Sequence, residues 1–122
     1  MTFKLKALIA DDSRLMRKML KDILEKENFD VVGEAENGDQ AVTLCQQHMP
    51  NLLTLDIAMP GKDGLATLKE VKRLFPDIKV VMITSNDKHD IILEALKQGA
   101  DNYITKPYEP EKVARVVNCI EY

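Results

Sequence analysis

The sequence predicts an α/β fold: a doubly wound, five-stranded parallel sheet with helices on both faces. Two observations predict it. Strand-like and helix-like segments alternate along the whole chain, without an internal repeat, a low-complexity tract or a linker, and the strand-like runs are short and mostly apolar, as in strands buried on both faces. Right-handed crossovers wind such a chain into an open twisted sheet, and ligands bind at the carboxyl ends of its strands.

The first two strand–helix units are predicted between Leu5 and Pro50. Leu5 to Ala10 forms the first strand, and Ser13 is placed to cap the first helix. Asn28 marks the end of this helix, and the β-branched Val31 and Val32 form the second strand. The apolar stripe of the first helix is Leu15, Met16, Met19, Leu20, Ile23 and Leu24. That of the second, after the turn at Asn37 and Gly38, is Ala41, Val42, Cys45 and Met49.

Three further units follow in the same order. Leu52 to Leu55 and Ile78 to Ile83 are predicted as the third and fourth strands, and Tyr103 to Thr105 as a short fifth one. The fourth helix is predicted from about Lys88 to Gln98, with Gly99 as its stop. The predicted inward positions of the last three helices are Leu65, Leu68, Val71, Lys72 and Phe75, then Ile91, Ile92, Ala95 and Leu96, then Val113, Val116, Val117 and Ile120.

Composition narrows the function. The chain has 122 residues, 45% of them apolar and 30% charged, which suits one domain over residues 1–122. A net charge of −3, without a basic stripe, argues against direct nucleic-acid binding. The start lacks the long apolar stretch of a signal peptide or a membrane span, and Cys45 and Cys119 lack metal-type spacing. We therefore expect a cytoplasmic protein without membrane insertion.

Polar residues follow four of the predicted strands. Asp11 and Asp12 follow the first strand, Asp56 the third, Thr84 the fourth and Lys106 the fifth. Each alone has an ordinary structural explanation as a helix cap, a turn residue, a strand residue or a surface charge. Together they lie at one edge of the sheet, where three carboxylates repel one another unless a cation is shared. A hard divalent ion with oxygen ligands, Mg2+ above all, fits such a site.

The same residue types permit phosphoryl transfer. A carboxylate can accept a phosphoryl group, and a lysine and a hydroxyl can hold its oxygens. The sequence carries four motifs: Asp11-Asp12, the run Asp56 to Pro60 with Gly64, Thr84-Ser85 and Lys106-Pro107. In the order and approximate spacing of these motifs, the sequence resembles the receiver domains of two-component response regulators, most of all the single-domain CheY type. The resemblance covers the whole chain and implies the flavodoxin-like strand order 2-1-3-4-5, of which CheY is a standard example.

The resemblance also implies roles for individual residues. Asp56 is the phosphoacceptor, and Asp12, Asp56 and the backbone carbonyl of Ala58 ligate Mg2+, with Asp11 acting largely through bound water. Thr84 and Lys106 contact the phosphoryl group, and the bond from Lys106 to Pro107 is cis. Tyr103 matches the aromatic switch position, although a partly buried tyrosine that only supports the last strand is the alternative.

Other positions bear on rate and docking. Ala58 and Asn86 depart from common residues at two positions that influence the lifetime of the phosphoryl group, and Ser85 is small, as the family usually requires. Arg14, Arg17 and Lys18 lie on the first helix, where the family commonly meets its phosphodonor, but a solvated face explains them as well. His48 and His89 are interpreted as exposed residues at helix ends. Met16, Met19, Met49, Met59 and Met82 are interpreted mainly as core residues.

The leading hypothesis is a signalling switch that is not an enzyme on other substrates but catalyses its own phosphorylation and dephosphorylation. A sensor histidine kinase is its phosphodonor, and helix four, strand five and helix five form its output surface. Because the sequence ends just after the fifth helix, we expect no attached effector domain. The partner is a protein, either a flagellar motor switch of the chemotaxis type, which is favoured, or a phosphotransfer protein.

Four alternatives remain open: a phosphorelay intermediate, the receiver of a larger, for example DNA-binding, regulator, a flavodoxin-like cofactor carrier, and a phosphatase with an aspartate nucleophile. Asp11 and Asp12 would repel a flavin phosphate. Such phosphatases generally need a second acid two residues beyond the nucleophile, where this sequence has Ala58.

Overall fold

The computed structural model describes residues 3–85 and 89–122, in which five strands alternate with five helices. Neighbouring strands are parallel, and the order across the sheet is β2-β1-β3-β4-β5. The predicted fold class and strand order are confirmed. The elements are β1 (Leu5–Ala10), α1 (Arg14–Lys26), β2 (Phe29–Ala35), α2 (Gly38–His48), β3 (Leu52–Asp56), α3 (Gly64–Leu74), β4 (Lys79–Ser85), α4 (His89–Lys97), β5 (Asn102–Lys106) and α5 (Pro110–Asn118).

Short polar side chains start three of the helices at the carboxyl edge of the sheet. Ser13, Asn37 and Asp63 precede α1, α2 and α3, and each side chain accepts a hydrogen bond from the backbone N–H three residues later, at 3.2, 2.9 and 2.8 Å. These bonds satisfy N–H groups that the first helical turn leaves without partners. After α4, Gly99 adopts a left-handed φ of 103°, as a helix stop requires.

The sheet separates two apolar cores. Leu53 and Leu55 of β3 pack on the side of α2, α3 and α4, whereas Leu52 packs on the side of α1 and α5. Successive residues of a strand face opposite sides of a sheet, so both faces of β3 are buried. The strands are thereby held rigidly, and their carboxyl ends are fixed relative to one another.

Some predicted core residues are exposed. Leu15 is 68% and Met19 42% exposed on α1, because Leu20 and Leu24 occupy the face of that helix that meets the sheet. Met49 is 54% exposed, since it lies beyond α2 with a left-handed φ of 43°. Leu96 of α4 is also partly exposed. Helical spacing predicted these helices correctly but made their buried stripes too wide.

Element boundaries moved by a few residues. β2 begins at Phe29 rather than near Val31, and β4 extends to Ser85. α4 is described from His89, and its predicted start at Lys88 lies outside the described residues. Ile120 lies beyond α5 but packs against the core of α1 and α5. Within the described part of the chain, no helix has the length and apolar character needed to cross a membrane.

Candidate functional site

The three acidic residues predicted for the site lie together at the carboxyl edge of the sheet. Asp11 follows β1 directly and Asp56 is the last residue of β3. One carboxylate oxygen from each of Asp11, Asp12 and Asp56 lies within 4.8 Å of the others. Asp11 and Asp56 are buried, whereas Asp12 is exposed. The cluster is therefore open to solvent on the side of Asp12.

Asp56 is held through both of its carboxylate oxygens. Oδ1 accepts a hydrogen bond from the backbone N–H of Ala58 at 3.1 Å, and Oδ2 accepts one from Lys106 Nζ, also at 3.1 Å. Burial raises the pKa of Asp56 and the negative charge of Asp11 raises it further, which together outweigh the lowering by Lys106 and by the N–H of Ala58. A nearby cation therefore stabilises the charged form of Asp56.

Asp11 is also fixed on both sides. Its Oδ1 accepts the backbone N–H of Ser13 at 2.8 Å, and its Oδ2 lies 3.5 Å from Lys106 Nζ. Burial disfavours the charge of Lys106, but Asp56 and Asp11 outweigh that effect and raise the pKa of its ammonium group. Lys106 therefore stays protonated and serves two carboxylates at once.

Thr84 and Tyr103 lie on the strands next to these groups. Asp56 pairs with Ile83, which places the buried Thr84 one residue further along the neighbouring strand, where it pairs with Thr105. Tyr103 pairs with Met82 and is 38% exposed. It lines a cavity of about 520 Å³ together with α4 residues, Lys112 of α5 and other residues of β5. The switch role of Tyr103 remains a prediction.

The remaining predicted positions surround this edge. Ser85 is exposed at the end of β4, and Asn86 lies outside the described residues. Ala58 is exposed beside Asp56, and the role of its carbonyl remains a prediction. The peptide bond between Lys106 and Pro107 is cis.

A glycine fixes the loop that follows Asp56. The N–H of Gly64 donates to the carbonyl of Ile57 at 2.9 Å. A Cβ atom at residue 64 would lie 2.5 Å from Ile57 Cα and 2.6 Å from the carbonyl oxygen of Asp56, and these backbone atoms cannot move aside. Only glycine allows α3 to begin this close to the candidate phosphoacceptor.

Comparison with known proteins identifies the family. The sequence profile of the response regulator receiver domain matches residues 7–118. The chain belongs to this family. The receiver is 41% identical over 111 residues to the chemotaxis protein CheY of Bacillus subtilis (strain 168), covering 91% of this chain and 92% of that protein. It is 37% identical over 115 residues to CheY of Thermotoga maritima, covering 94% and 96% of the two chains.

Solved structures agree with this assignment. A chain in the crystal structure of the CheX-CheY-BeF3-Mg2+ complex from Borrelia burgdorferi superposes with a TM-score of 0.90 at 30% identity, covering 96% of the receiver and 90% of that chain. Receiver domains bind Mg2+ at an acidic pocket. The cluster of Asp11, Asp12 and Asp56 fits this ion, because all three offer hard oxygen ligands close together. Their mutual repulsion also favours a shared cation.

Sequence reasoning missed Tyr108. Its hydroxyl is buried and has no hydrogen-bond partner among the described residues. Burial raises its pKa to about 12, with further contributions from Asp11 and Asp56, so the phenol stays neutral. The sequence carried no signal for this, since an aromatic residue after Lys106-Pro107 reads as a packing residue.

Arg17 is a correction to the predicted basic face of α1. Arg14 and Lys18 are exposed, but Arg17 is only 7% exposed. Its guanidinium Nη1 donates to the backbone carbonyl of Asp11 at 2.8 Å, and its Nε donates to Glu34 at 3.1 Å. The sequence placed Arg17 beside charged neighbours on a helix, and nothing in it showed that Arg17 points inward. Arg17 is therefore not available to a docking partner in this structure.

Proposed function

We propose that the receiver is a phosphorylation-controlled signalling switch whose Asp56 accepts a phosphoryl group from the phosphohistidine of a sensor histidine kinase. One observation carries the proposal: a buried carboxylate has one oxygen 3.1 Å from an ammonium group and lies in a cluster of three acids. Such a group is held in place, and it is paired with the cation that a phosphoryl acceptor needs.

The transfer balances as a single displacement. An oxygen of Asp56 forms a bond to phosphorus while the bond from phosphorus to the imidazole nitrogen breaks, and the electron pair of that bond leaves with the histidine ring. The ammonium group of Lys106 donates a hydrogen bond to Oδ2 of Asp56 and stabilises negative charge on oxygen atoms at the site. The N–H of Ala58 donates to Oδ1 and keeps the Asp56 carboxylate oriented. Asp12, Asp56 and the carbonyl of Ala58, with Asp11 nearby, would hold Mg2+, which when bound would neutralise part of the charge that carboxylates and phosphoryl oxygens bring together.

The proposed output is a change in the surface of α4, β5 and α5. Thr84 and Tyr103 lie on neighbouring strands two pairs apart, so a movement of Thr84 toward the phosphoryl group changes the space available to the Tyr103 ring. Leu93, Leu96 and Tyr103 expose apolar area on this surface, which suits a protein partner. The similarity to CheY proteins supports a chemotaxis-type partner such as a flagellar motor switch. The receiver acts on itself rather than on other substrates.

Intact mass spectrometry tests the chemistry. Wild type, Asp56→Asn and the exposed control Asp30→Asn are incubated with acetyl phosphate, with Mg2+ or with a chelator. We expect one phosphoryl adduct on the wild type and on Asp30→Asn, only with Mg2+, and none on Asp56→Asn, with far-UV circular dichroism unchanged. Absence of an adduct on the wild type, also with a phosphohistidine protein as donor, contradicts the proposal. An adduct on folded Asp56→Asn contradicts the choice of acceptor.

A further inference from the structure

The side chain of Arg17 connects α1, the end of β2 and the loop that carries Asp11 and Asp12. Its guanidinium donates to the carbonyl of Asp11 at 2.8 Å and to Glu34 at 3.1 Å, and its Nη2 lies 3.6 Å from a carboxylate oxygen of Glu36. Its side chain is 9% exposed, so the charge is largely withdrawn from water. A buried arginine with all its partners in place is a rigid group, because the planar fork allows few other arrangements.

The two glutamates flank the residue that holds Asp11 from the other side. Glu34 and Glu36 lie on either side of Ala35, and the carbonyl of Ala35 accepts the backbone N–H of Asp11 at 3.0 Å. The backbone of Asp11 is therefore fixed twice, at its N–H by β2 and at its carbonyl by Arg17.

Fixing the Asp11 carbonyl also fixes the start of Asp12. The carbonyl of Asp11 and the N–H of Asp12 belong to one planar peptide group. A bond to that carbonyl therefore sets the orientation of the plane from which Asp12 continues. Asp12 is exposed, so packing around its side chain does little to fix the direction of its carboxylate.

We infer that Arg17 is a positioning residue for the acidic site: it holds the Asp11–Asp12 peptide in the orientation in which the Asp12 carboxylate meets those of Asp11 and Asp56. The inference rests on the proposed function in that the site it arranges is the proposed Mg2+ and phosphorylation site. Arg17 reaches the site through the backbone carbonyl of Asp11, and it acts through Asp11 and Asp12.

Removal of Arg17 changes the Mg2+ affinity in opposite directions, depending on whether Arg17 acts through its charge or by positioning the acidic residues. Arg17 is a cation close to the acidic cluster, so its removal makes the surroundings more negative and by charge alone strengthens Mg2+ binding. Loss of positioning weakens Mg2+ binding, because residues that orient metal ligands typically contribute about tenfold or more to affinity. In a variant that remains folded, weaker binding after removal of the cation runs against the charge effect and therefore indicates lost geometry.

Calorimetric titration with MgCl2 makes this test on wild type, Arg17→Met and Arg14→Met. Arg17→Met keeps much of the packing volume and removes the hydrogen bonds, while Arg14→Met removes the same charge from an exposed position at the start of α1. We expect an Mg2+ affinity about tenfold weaker for Arg17→Met and unchanged or tighter for Arg14→Met. Unchanged or tighter binding by folded Arg17→Met overturns the inference.

A second variant and a second readout complete the design. If Arg17→Met does not fold, Arg17→Lys decides, since it keeps the charge but cannot reach all three partners of the guanidinium at once; Mg2+ affinity equal to the wild type then overturns the inference. With acetyl phosphate, the Mg2+ concentration for half-maximal adduct formation should rise about tenfold, with the rate at saturating Mg2+ nearly restored. Failure of the wild type to form an adduct sinks the proposed function instead, whatever the Mg2+ affinities are.

Discussion

The ammonium group of Lys106 lies 3.1 Å from the carboxylate of Asp56, although β4 separates their strands in the sheet. The same ammonium group is 3.5 Å from Asp11. The cation therefore joins the first, third and fifth strands across the carboxyl edge. Among the described residues, Lys106 supplies the positive group within 4 Å of the carboxylates of Asp11 and Asp56, both of which are buried.

Substitution of Lys106 should separate stability from metal binding. Lys106→Met leaves two buried carboxylates without their cation, and we expect the free energy of unfolding without Mg2+ to fall by about 2 kcal/mol. Mg2+ affinity should increase, because a competing positive charge is gone. Urea denaturation followed by circular dichroism and calorimetric titration measure the two quantities. Weaker Mg2+ binding would show that Lys106 orders the acids rather than competes for them.

The pH dependence of stability should follow Asp56. Its pKa is raised on folding, first by burial and then by Asp11, so the folded protein binds this proton more tightly than the unfolded chain does. The stability that Asp56 contributes without Mg2+ should therefore be lost as pH rises from the ordinary carboxyl pKa of 3.8 through the raised pKa.

Asp56→Asn supplies the comparison for this effect. The variant lacks the titrating group, so its stability relative to wild type should increase with pH across that window and then level off. Urea denaturation in chelator at several pH values between about 4 and 8 tests this. Circular dichroism is the suitable signal, because the chain has no tryptophan. A constant difference between the two proteins across the series contradicts the raised pKa.

Removing the Tyr108 hydroxyl should stabilise the protein. The hydroxyl is buried without a partner among the described residues, and its desolvation is not offset by a hydrogen bond. We expect Tyr108→Phe to raise the free energy of unfolding by about 1 kcal/mol. Tyr103→Phe is the matched control, since Tyr103 is 38% exposed and its hydroxyl removal should change stability little. A loss of stability in Tyr108→Phe would mean that the hydroxyl is satisfied in solution.

Gly64→Ala should disturb the loop beside Asp56. The added Cβ would lie 2.5 Å from Ile57 Cα, so the backbone must shift. We expect a loss of about 2 kcal/mol in stability and slower adduct formation with acetyl phosphate. Gly61→Ala is the control: its Cβ meets nothing within 4 Å, and the cost there, about 1 kcal/mol, comes only from the φ of 73°. Equal effects of the two substitutions would contradict the steric explanation.

The sequence predicted the fold because local pattern and topology agree here. Apolar runs ending in Asp11, Asp56 and Lys106 predict strands with polar carboxyl ends, and parallel strands bring those ends together. The structure shows the three acids and Lys106 at one edge, as this reasoning requires. The strand order itself came from the resemblance, since alternation alone allows several orders.

The misses have one physical cause. Periodicity reports which residues share a helix face but not how wide the covered part of that face is, so Leu15 and Met19 were predicted inside and are exposed. Periodicity also failed to predict the burial of Arg17, because that burial depends on contacts with Glu34 and with the backbone carbonyl of Asp11 rather than on its own helix. Tyr108 was missed because an orphaned hydroxyl is a property of the surroundings, which no residue type announces.

The distance along the chain between Lys106 and its two partners determines when the site can assemble during translation. Lys106 lies 95 residues after Asp11 and 50 after Asp56. During translation the three acids are therefore made long before their counter-charge, and the site can be completed only after β5 has left the ribosome and paired with β4. A nascent chain halted before residue 106 lacks the ammonium group and cannot assemble this arrangement. Completion of the charged edge formed by Asp11, Asp56 and Lys106 is thus tied to the last strand that the chain adds to the sheet.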